Sequence, residues 1–325
     1  MLVTIPLVIA HRGASGYRPE HTRSAYLLAI ELGADAIEPD IVATSDGVLV
    51  LRHENEISGT TDVASRPEFA DRRTTKHIDG QRLTGWFTED FSWQELSTLR
   101  AVERLPRFRA ANTAYSGREG ILRLTDLLDI LDSAERRVGL VAEIKHASYF
   151  ASIGLPLDEL FAAELAAAGW ARDPRLTVES FEKSVLLRVR DRGVDCRLVF
   201  LMEAGGAPAD DPGHPYAGHL AEDGLAALAT EVDGISLDKH ILLAPDAAGR
   251  PRGGELVARA HADGLVVFCW TLRAENRFLA KPLRLGADEA AHGDWRTEYL
   301  TLMRMGLDGV FADQPDLAVE ARASL

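Results

Sequence analysis

Leu7-Val8-Ile9-Ala10-His11-Arg12-Gly13 is the stretch on which the reading of the chain turns. Four apolar residues stop at a charged pair and a glycine, the pattern of a buried strand whose last residues are functional rather than structural. Thr22 is a suitable N-cap, and Ala25, Tyr26, Ala29, Ile30 and Leu32 recur at helical spacing until Gly33, so a helix follows. A second strand, Ala36 to Val42, carries Glu38 and Asp40 two residues apart and therefore on one face. Carboxylates so placed repel each other; in an apolar setting they take up protons or hold a cation between them. Asp46-Gly47 then turns the chain, and Val48 to Leu51 runs to Arg52-His53, a second histidine at a strand end.

Strand, helix, strand opens a βαβ unit, and the alternation returns further along. A helix over 125–133 leads to apolar runs over 138–145, 176–181, 197–202, 234–237, 265–271 and 309–312, which read as strands. Between them the helical spacing falls at 157–168, 182–192, about 221–229, 255–262 and 295–305, with a short terminal helix after the last strand. Together with the strands centred on Leu7 and Ile37 this gives eight βα units and predicts an α/β fold, a TIM (β/α)8 barrel with its site at the C-terminal strand ends. Such a barrel uses roughly 250 residues, so 1–325 reads as a single catalytic domain with the strand 48–51 as an appendage. The segment 54–121, rich in Thr, Arg, Asp and Gly, breaks the rhythm and reads as a small inserted subdomain. Within it Ser92-Trp93-Gln94-Glu95 is a capping box that predicts a helix through about Arg100, and Trp86, Phe87, Phe91 and Trp93 are assigned to its packing.

The 325 residues are 46% hydrophobic, ample for a core, and carry a formal charge of -14. That charge argues against a nucleic-acid backbone or an anionic membrane as the main partner, since either requires a basic surface. An anionic substrate must be met by local cations or a metal. No apolar stretch approaches about 18 residues, so no stable membrane insertion is expected. The first strand begins within a few residues of Met1. A cytoplasmic location is the expectation from this missing leader, and a periplasmic or secreted one where a signal peptide has been removed. Cys196 and Cys269 lie in apolar runs and read as buried free thiols. The oligomeric state is not legible.

The third strand repeats the second's pattern: Val141-Ala142-Glu143-Ile144-Lys145 sets a carboxylate and an ammonium on one face of an apolar run. Glu38, Asp40 and Glu143 would make an all-oxygen ligand set suited to Mg²⁺ or Ca²⁺ rather than zinc. The competing reading is a salt-bridge network with Lys145 and Arg12. A single histidine at a strand end is usually just a satisfied polar residue. Two, His11 and His53, each beside an arginine and flanking the carboxylates, make the acid and base of phosphoryl or proton chemistry, with Arg12 and Lys145 taking the substrate's anionic charge. Ser180-Phe181-Glu182-Lys183 matches S-x-x-K without its partner motifs, and no P-loop or dinucleotide fingerprint is present.

His11-Arg12-Gly13-Ala14-Ser15-Gly16, Pro19-Glu20-His21-Thr22, Glu38-Pro39-Asp40, Asp46 to Val50 and His53 resemble the signature of the glycerophosphodiester phosphodiesterase family. Glu143-Ile144-Lys145, Glu179-Ser180-Phe181, Trp270-Thr271 and Asp313-Gln314-Pro315-Asp316 follow in the family's order, so the likeness spans nearly the whole chain. The long insertion is similar to that of the subgroup typified by the bacterial periplasmic enzyme. The resemblance implies His11 and His53 as general acid and base, Glu38, Asp40 and Glu143 on one divalent cation, Arg12 and Lys145 on the phosphate, and Trp270 on the glycerol side. It implies hydrolysis of small-molecule glycerophosphodiesters to glycerol 3-phosphate and an alcohol. One histidine would deprotonate a glycerol hydroxyl that attacks phosphorus, the other would protonate the departing alcohol, and water would open the resulting cyclic phosphate. The runner-up is a lysophospholipase D-type reaction on the same barrel, for which the aromatic insertion is the candidate apolar groove. A barrel that only binds is disfavoured by the full set of histidines and carboxylates. Departures from the family pattern are His21 where many members carry Asn, Glu54 where they carry Asp, and no arginine near Gly59. Glu179, often Gln in relatives, is expected to hydrogen-bond within the barrel.

Overall fold

The computed structural model describes residues 5–245, 249 and 251–325. Its strands, in chain order, are β1 (Leu7–His11), β2 (Ala36–Glu38), β3 (Asp40–Ala43), β4 (Leu49–Leu51), β5 (Thr74–Ile78), β6 (Gln81–Gly85), β7 (Gly139–Ile144), β8 (Leu176–Ser180), β9 (Arg197–Met202), β10 (Gly234–Asp238), β11 (Val266–Leu272) and β12 (Gly309–Ala312). All but β5 and β6 join one sheet, which closes because β2 pairs with both β1 and β7. Of its ten strands, β2 and β3 form one interrupted stave and β4 lies outside the ring, leaving eight parallel staves. The expected TIM barrel is the fold. Parallel staves covered by helices are buried on both faces, and for that reason they appear in sequence as continuous apolar runs.

Between the staves lie helices such as Arg23–Glu31, Leu157–Ala168 and Lys183–Asp191, close to their expected bounds. Thr22 caps the first, its side chain accepting from the Ala25 N–H at 3.2 Å. Three shorter helices, Ala147–Ser152, Tyr216–His219 and Lys239–Leu243, were not foreseen. Ile9, Val141, Val199, Phe268 and Phe311 fill the barrel interior as a core separate from the larger one beneath the helices. Among the described residues no helix is long and apolar enough to cross a membrane.

Two expectations need correction. The second stave is not continuous: Pro39 lacks an N–H and splits it, while its carbonyl still accepts from Glu143 N at 2.9 Å. The helix opened by the Ser92 capping box ends at Leu96, well short of Arg100, and the chain continues in turns, with Leu99 N donating to Leu96 O. In the segment 54–121 the main regular element is the antiparallel hairpin β5–β6, whose two-residue turn Asp79-Gly80 has positive φ at both positions. Trp86, Phe87 and Phe91 are buried, and Phe69 stacks edge-on to Phe91 at 5.1 Å.

The turn after β1 depends on Gly13. Its φ is +83°, and a Cβ there would sit 2.7 Å from the Ala25 carbonyl carbon, a backbone atom of the first helix. Gly80 has a similar φ of +77° but open space around it. Gly13→Ala is therefore expected to cost about 2 kcal/mol or more in urea unfolding, and Gly80→Ala about 1 kcal/mol. Equal losses in the two variants would contradict the close approach.

Candidate active site

The C-terminal strand ends open into a cavity of about 600 Å³. His11 ends β1, Glu38 and Asp40 stand on either side of the Pro39 break, Glu143 and Lys145 lie at the end of β7, and Trp270 is on β11. Parallel pairing sets Asp40 opposite Glu143 and His11 opposite Glu38. One oxygen from each of Glu38, Asp40 and Glu143 lies within 4.8 Å of the others, all three side chains being buried. His11, Arg12, Glu38, His53, Glu143, Lys145 and Trp270 all line the cavity. Asp40 is fully buried beneath it.

The salt-bridge network is present as well. Lys145 Nζ lies 2.8 Å from Glu143 and 3.4 Å from Asp40, and Arg12 Nε lies 3.0 Å from Asp40. Arg12 has φ 62°, which turns its N–H onto Glu38 Oε2 at 2.8 Å. The network leaves one acceptor over: among the described residues Glu38 Oε1 is buried with neither a hydrogen bond nor an ion-pair partner, whereas Glu143 Oε1 and Asp40 Oδ1 are the oxygens that face Lys145. Burial and the Asp40 charge push Glu38 well above the ordinary carboxylate range, and burial takes Glu143 up to about 7. Asp40, although buried, is held well below it by Lys145 and Arg12. An unpartnered buried oxygen on Glu38, beside a second carboxyl, Glu143, that also resists ionisation, is what a divalent cation would satisfy, and this all-oxygen donor set fits Mg²⁺ or Ca²⁺.

Each histidine is held by a carboxylate. His11 Nδ1 lies 2.6 Å from Asp313 Oδ1, and Asp313 Oδ2 accepts from Arg109 at 2.5 Å and Arg273 at 2.8 Å. His53 Nδ1 lies 3.0 Å from Glu54. Burial and then the Arg12 charge lower His11 to about 3; burial, Arg12 and Lys145 lower His53 to about 4. A neutral ring donating from Nδ1 keeps Nε2 as a proton acceptor. His21 is hydrogen-bonded to Asp40 at 2.9 Å and to Tyr26 at 2.7 Å, so the residue that departs from the family's Asn orients a carboxylate of the cluster.

Two arginines of the site, Arg104 and Arg109, had no local signal in the sequence. Arg104, from the segment 54–121, lines the cavity and donates to Glu20 at 2.8 Å. Arg109 and Asp313 meet across a separation of 204 residues. Glu179, expected to hydrogen-bond in the barrel, instead has Oε2 buried without a partner, because the β7–β8 register sets it beside Glu143. Burial and that neighbour push its pKa well up. Trp270 Nε1 donates to Ser236 O at 3.3 Å, and its ring meets Phe181 edge-on at 5.6 Å.

His146 joins Glu54 at 2.9 Å and Asp79, at the β5–β6 turn, at 2.5 Å. Burial opposes its charge, but the two hydrogen-bonded carboxylates outweigh burial and raise its pKa from 6.5 to about 9. A folded-state pKa above the unfolded one stabilises fully below about pH 6.5, and the contribution fades as pH rises through about 9. His146→Gln is thus expected to lower Tm most near pH 6 and little above pH 9.5, with an upper bound of about 3 kcal/mol. A Tm difference that does not vary with pH would contradict the clamp.

Neutral imidazoles lining one cavity with a buried carboxylate cluster, at the C-terminal rim of a βα barrel, equip the molecule for hydrolysis at an anionic centre. The class is that of the TIM-barrel hydrolases. The sequence pattern of the Glycerophosphoryl diester phosphodiesterase family matches residues 11–317, and the chain belongs to that family. It is 33% identical over 322 residues to the glycerophosphodiester phosphodiesterase GDPD6 of Arabidopsis thaliana, spanning 95% of this chain and 83% of that protein. The fold is shared with an Oleispira antarctica phosphodiesterase in complex with the product sn-glycerol-3-phosphate (TM-score 0.63, 21% identity, 98% of this chain and 96% of that one). It is shared too with a glycerophosphodiester phosphodiesterase of Agrobacterium tumefaciens (TM-score 0.59, 17% identity, 97% and 99%).

Proposed function

We propose that this enzyme hydrolyses glycerophosphodiesters to glycerol 3-phosphate and an alcohol, with one divalent cation, Ca²⁺ or Mg²⁺, held by Glu38, Asp40 and Glu143. The observation that carries the reading is the pair of carboxylate-held histidines that line one cavity with the triad. Family membership and the product-bound Oleispira fold support the substrate class. When bound, such an ion would neutralise phosphoryl oxygens and acidify a coordinated hydroxyl.

Arg12 and Lys145 hold the phosphate in this reading, and Trp270 packs the glycerol. Nε2 of one histidine takes the proton of a glycerol hydroxyl as that oxygen attacks phosphorus. The second histidine, entering the step as the imidazolium once the bound phosphate anion offsets the Arg12 and Lys145 charges, gives its Nε2 proton to the departing alcohol oxygen, and a cyclic glycerol phosphate results. Water then attacks the ring, the P–O bond to the attacking hydroxyl breaks, and glycerol 3-phosphate is released. Asp313 and Glu54 keep each imidazole in the tautomer that leaves Nε2 facing the cavity. The lysophospholipase D-type alternative relied on the aromatic insertion as a lipid groove, yet Trp86, Phe87 and Phe91 are buried.

Release of glycerol 3-phosphate from glycerophosphocholine is expected to fall by about 10²–10⁴ in His11→Ala and in His53→Ala. Excess EDTA, Glu38→Ala and Asp40→Ala are each expected to abolish it. Full turnover in EDTA would reject the cation, and full turnover in either histidine variant would reject the acid–base pair.

A further inference from the structure

The segment 54–121 sends one cation into the cavity that the acid–base reading does not use. Arg104 lines the cavity together with Arg12, Lys145 and Arg273, and its side chain is the most exposed of the four, at 31%. Its Nε donates to Glu20 at 2.8 Å, and among the described residues its two terminal nitrogens make no hydrogen bond. The other three cations are more heavily committed. Arg12 is buried, with Nη1 on Glu20 at 3.1 Å and Nε facing Asp40 at 3.0 Å. Lys145 is buried too, with Nζ against Glu143 and Asp40. Arg273 grips Asp313, the carboxylate that orients His11, and lies over the Phe278 ring at 5.0 Å.

The chain fixes Arg104 from both sides. Before it, Ala101 bridges Thr61 in antiparallel fashion, and Val102 N donates to Thr60 O at 3.0 Å. Glu103 is buried, and its carboxylate accepts from Leu105 N at 2.7 Å and from Asn112 at 2.9 Å. After it, Arg109 is anchored on Glu275, Asp313 and the Ser15 carbonyl. Glu20, which receives Nε, is itself buried; burial opposes its charge, yet Arg12 and then Arg104 hold its carboxyl well below the ordinary range. A guanidinium pinned through Nε to a buried carboxylate keeps its terminal N–H groups as a fork, which matches two oxygens of one phosphate. The sequence has no arginine near Gly59, one of its departures from the family pattern, and Thr60 and Thr61 are the residues with which the Arg104 segment pairs.

We propose that Arg104 is a phosphate ligand of the active site, supplied by the segment 54–121, and that its terminal fork takes the non-bridging oxygens of the substrate phosphodiester. The inference rests on the proposed hydrolysis. One carboxylate, Glu20, then sets the spacing of two guanidiniums, Arg12 and Arg104, beside one anion. A phosphodiester carries one negative charge and gains a second as the attacking oxygen adds, so the fork binds the transition state more tightly than the substrate. The segment 54–121 thereby contributes to the reaction itself.

The experiment measures choline release from glycerophosphocholine by the intact metal-loaded enzyme, with added glycerol 3-phosphate as inhibitor. Arg104→Ala is expected to lower kcat/KM about 30-fold and to raise the inhibition constant of glycerol 3-phosphate about tenfold, and methylguanidinium in solution to restore part of both. Arg104→Lys keeps the charge and loses the fork, so a loss of about fivefold in kcat/KM is expected. Arg107→Ala removes an equal charge three residues along, at an exposed position paired with Glu289, and is expected to leave both constants unchanged. Should Arg104→Ala fail to fold, Arg104→Lys carries the test in the same two constants. Wild-type constants in the Arg104 variants overturn the assignment and leave the hydrolase reading intact. Equal losses in Arg104→Ala and Arg107→Ala, or a loss that methylguanidinium does not relieve, overturn it as well. No turnover of glycerophosphocholine or glycerophosphoglycerol by the unaltered enzyme withdraws the hydrolase reading and this inference with it.

Discussion

Everything at the barrel mouth is set by one electrostatic problem: three buried carboxyl groups face one another across two neighbouring staves. Left alone, such a cluster resists ionisation, because burial and mutual repulsion both disfavour charge. Arg12 relieves it at Asp40 and Lys145 at Glu143 and Asp40, and the two leave Glu38 Oε1 buried without a partner among the described residues. The fold sustains the arrangement by geometry. Parallel register fixes Asp40 opposite Glu143, and the Pro39 break keeps Glu38 and Asp40 close enough to share one ligand while belonging to separate ladders.

The histidines inherit their properties from the same surroundings. Burial first, and then the cations that steady the carboxylates, hold both imidazoles neutral and ready to accept a proton. Each ring is then oriented by its own carboxylate, and these are secured differently. Asp313 is gripped by Arg109 and Arg273, whereas Glu54 is tied through His146 to the β5–β6 turn, so the segment 54–121 reaches both histidines.

How much of this is legible in sequence follows from what each element buries. The eight staves were readable because strands covered on both faces must be apolar, and their charged ends stood out against those runs. His11, Glu38, Asp40, His53, Glu143 and Lys145 were singled out for that reason, and the structure brings them together. The β5–β6 hairpin was missed although Asp79-Gly80 is a strong turn signal: its strands are largely exposed, so they lack the alternation that marks a half-buried strand. The capping box fixed where its helix begins but not where it ends, since no stop residue follows Leu96. The partners of the histidines were invisible to local reading; Asp313 lies 302 residues from His11, and only closure of the barrel through β12 makes them neighbours.

The most direct test of the central claim is calorimetric titration of EDTA-stripped protein with Ca²⁺ and with Mg²⁺ near pH 6.5, in buffers of differing ionisation enthalpy. The account predicts a single saturable site per chain, with protons released as Glu38 and Glu143 ionise, and loss of that site when Glu38→Gln and Asp40→Asn are combined. Absence of saturable binding of either ion, or binding that survives the paired substitution, would contradict it.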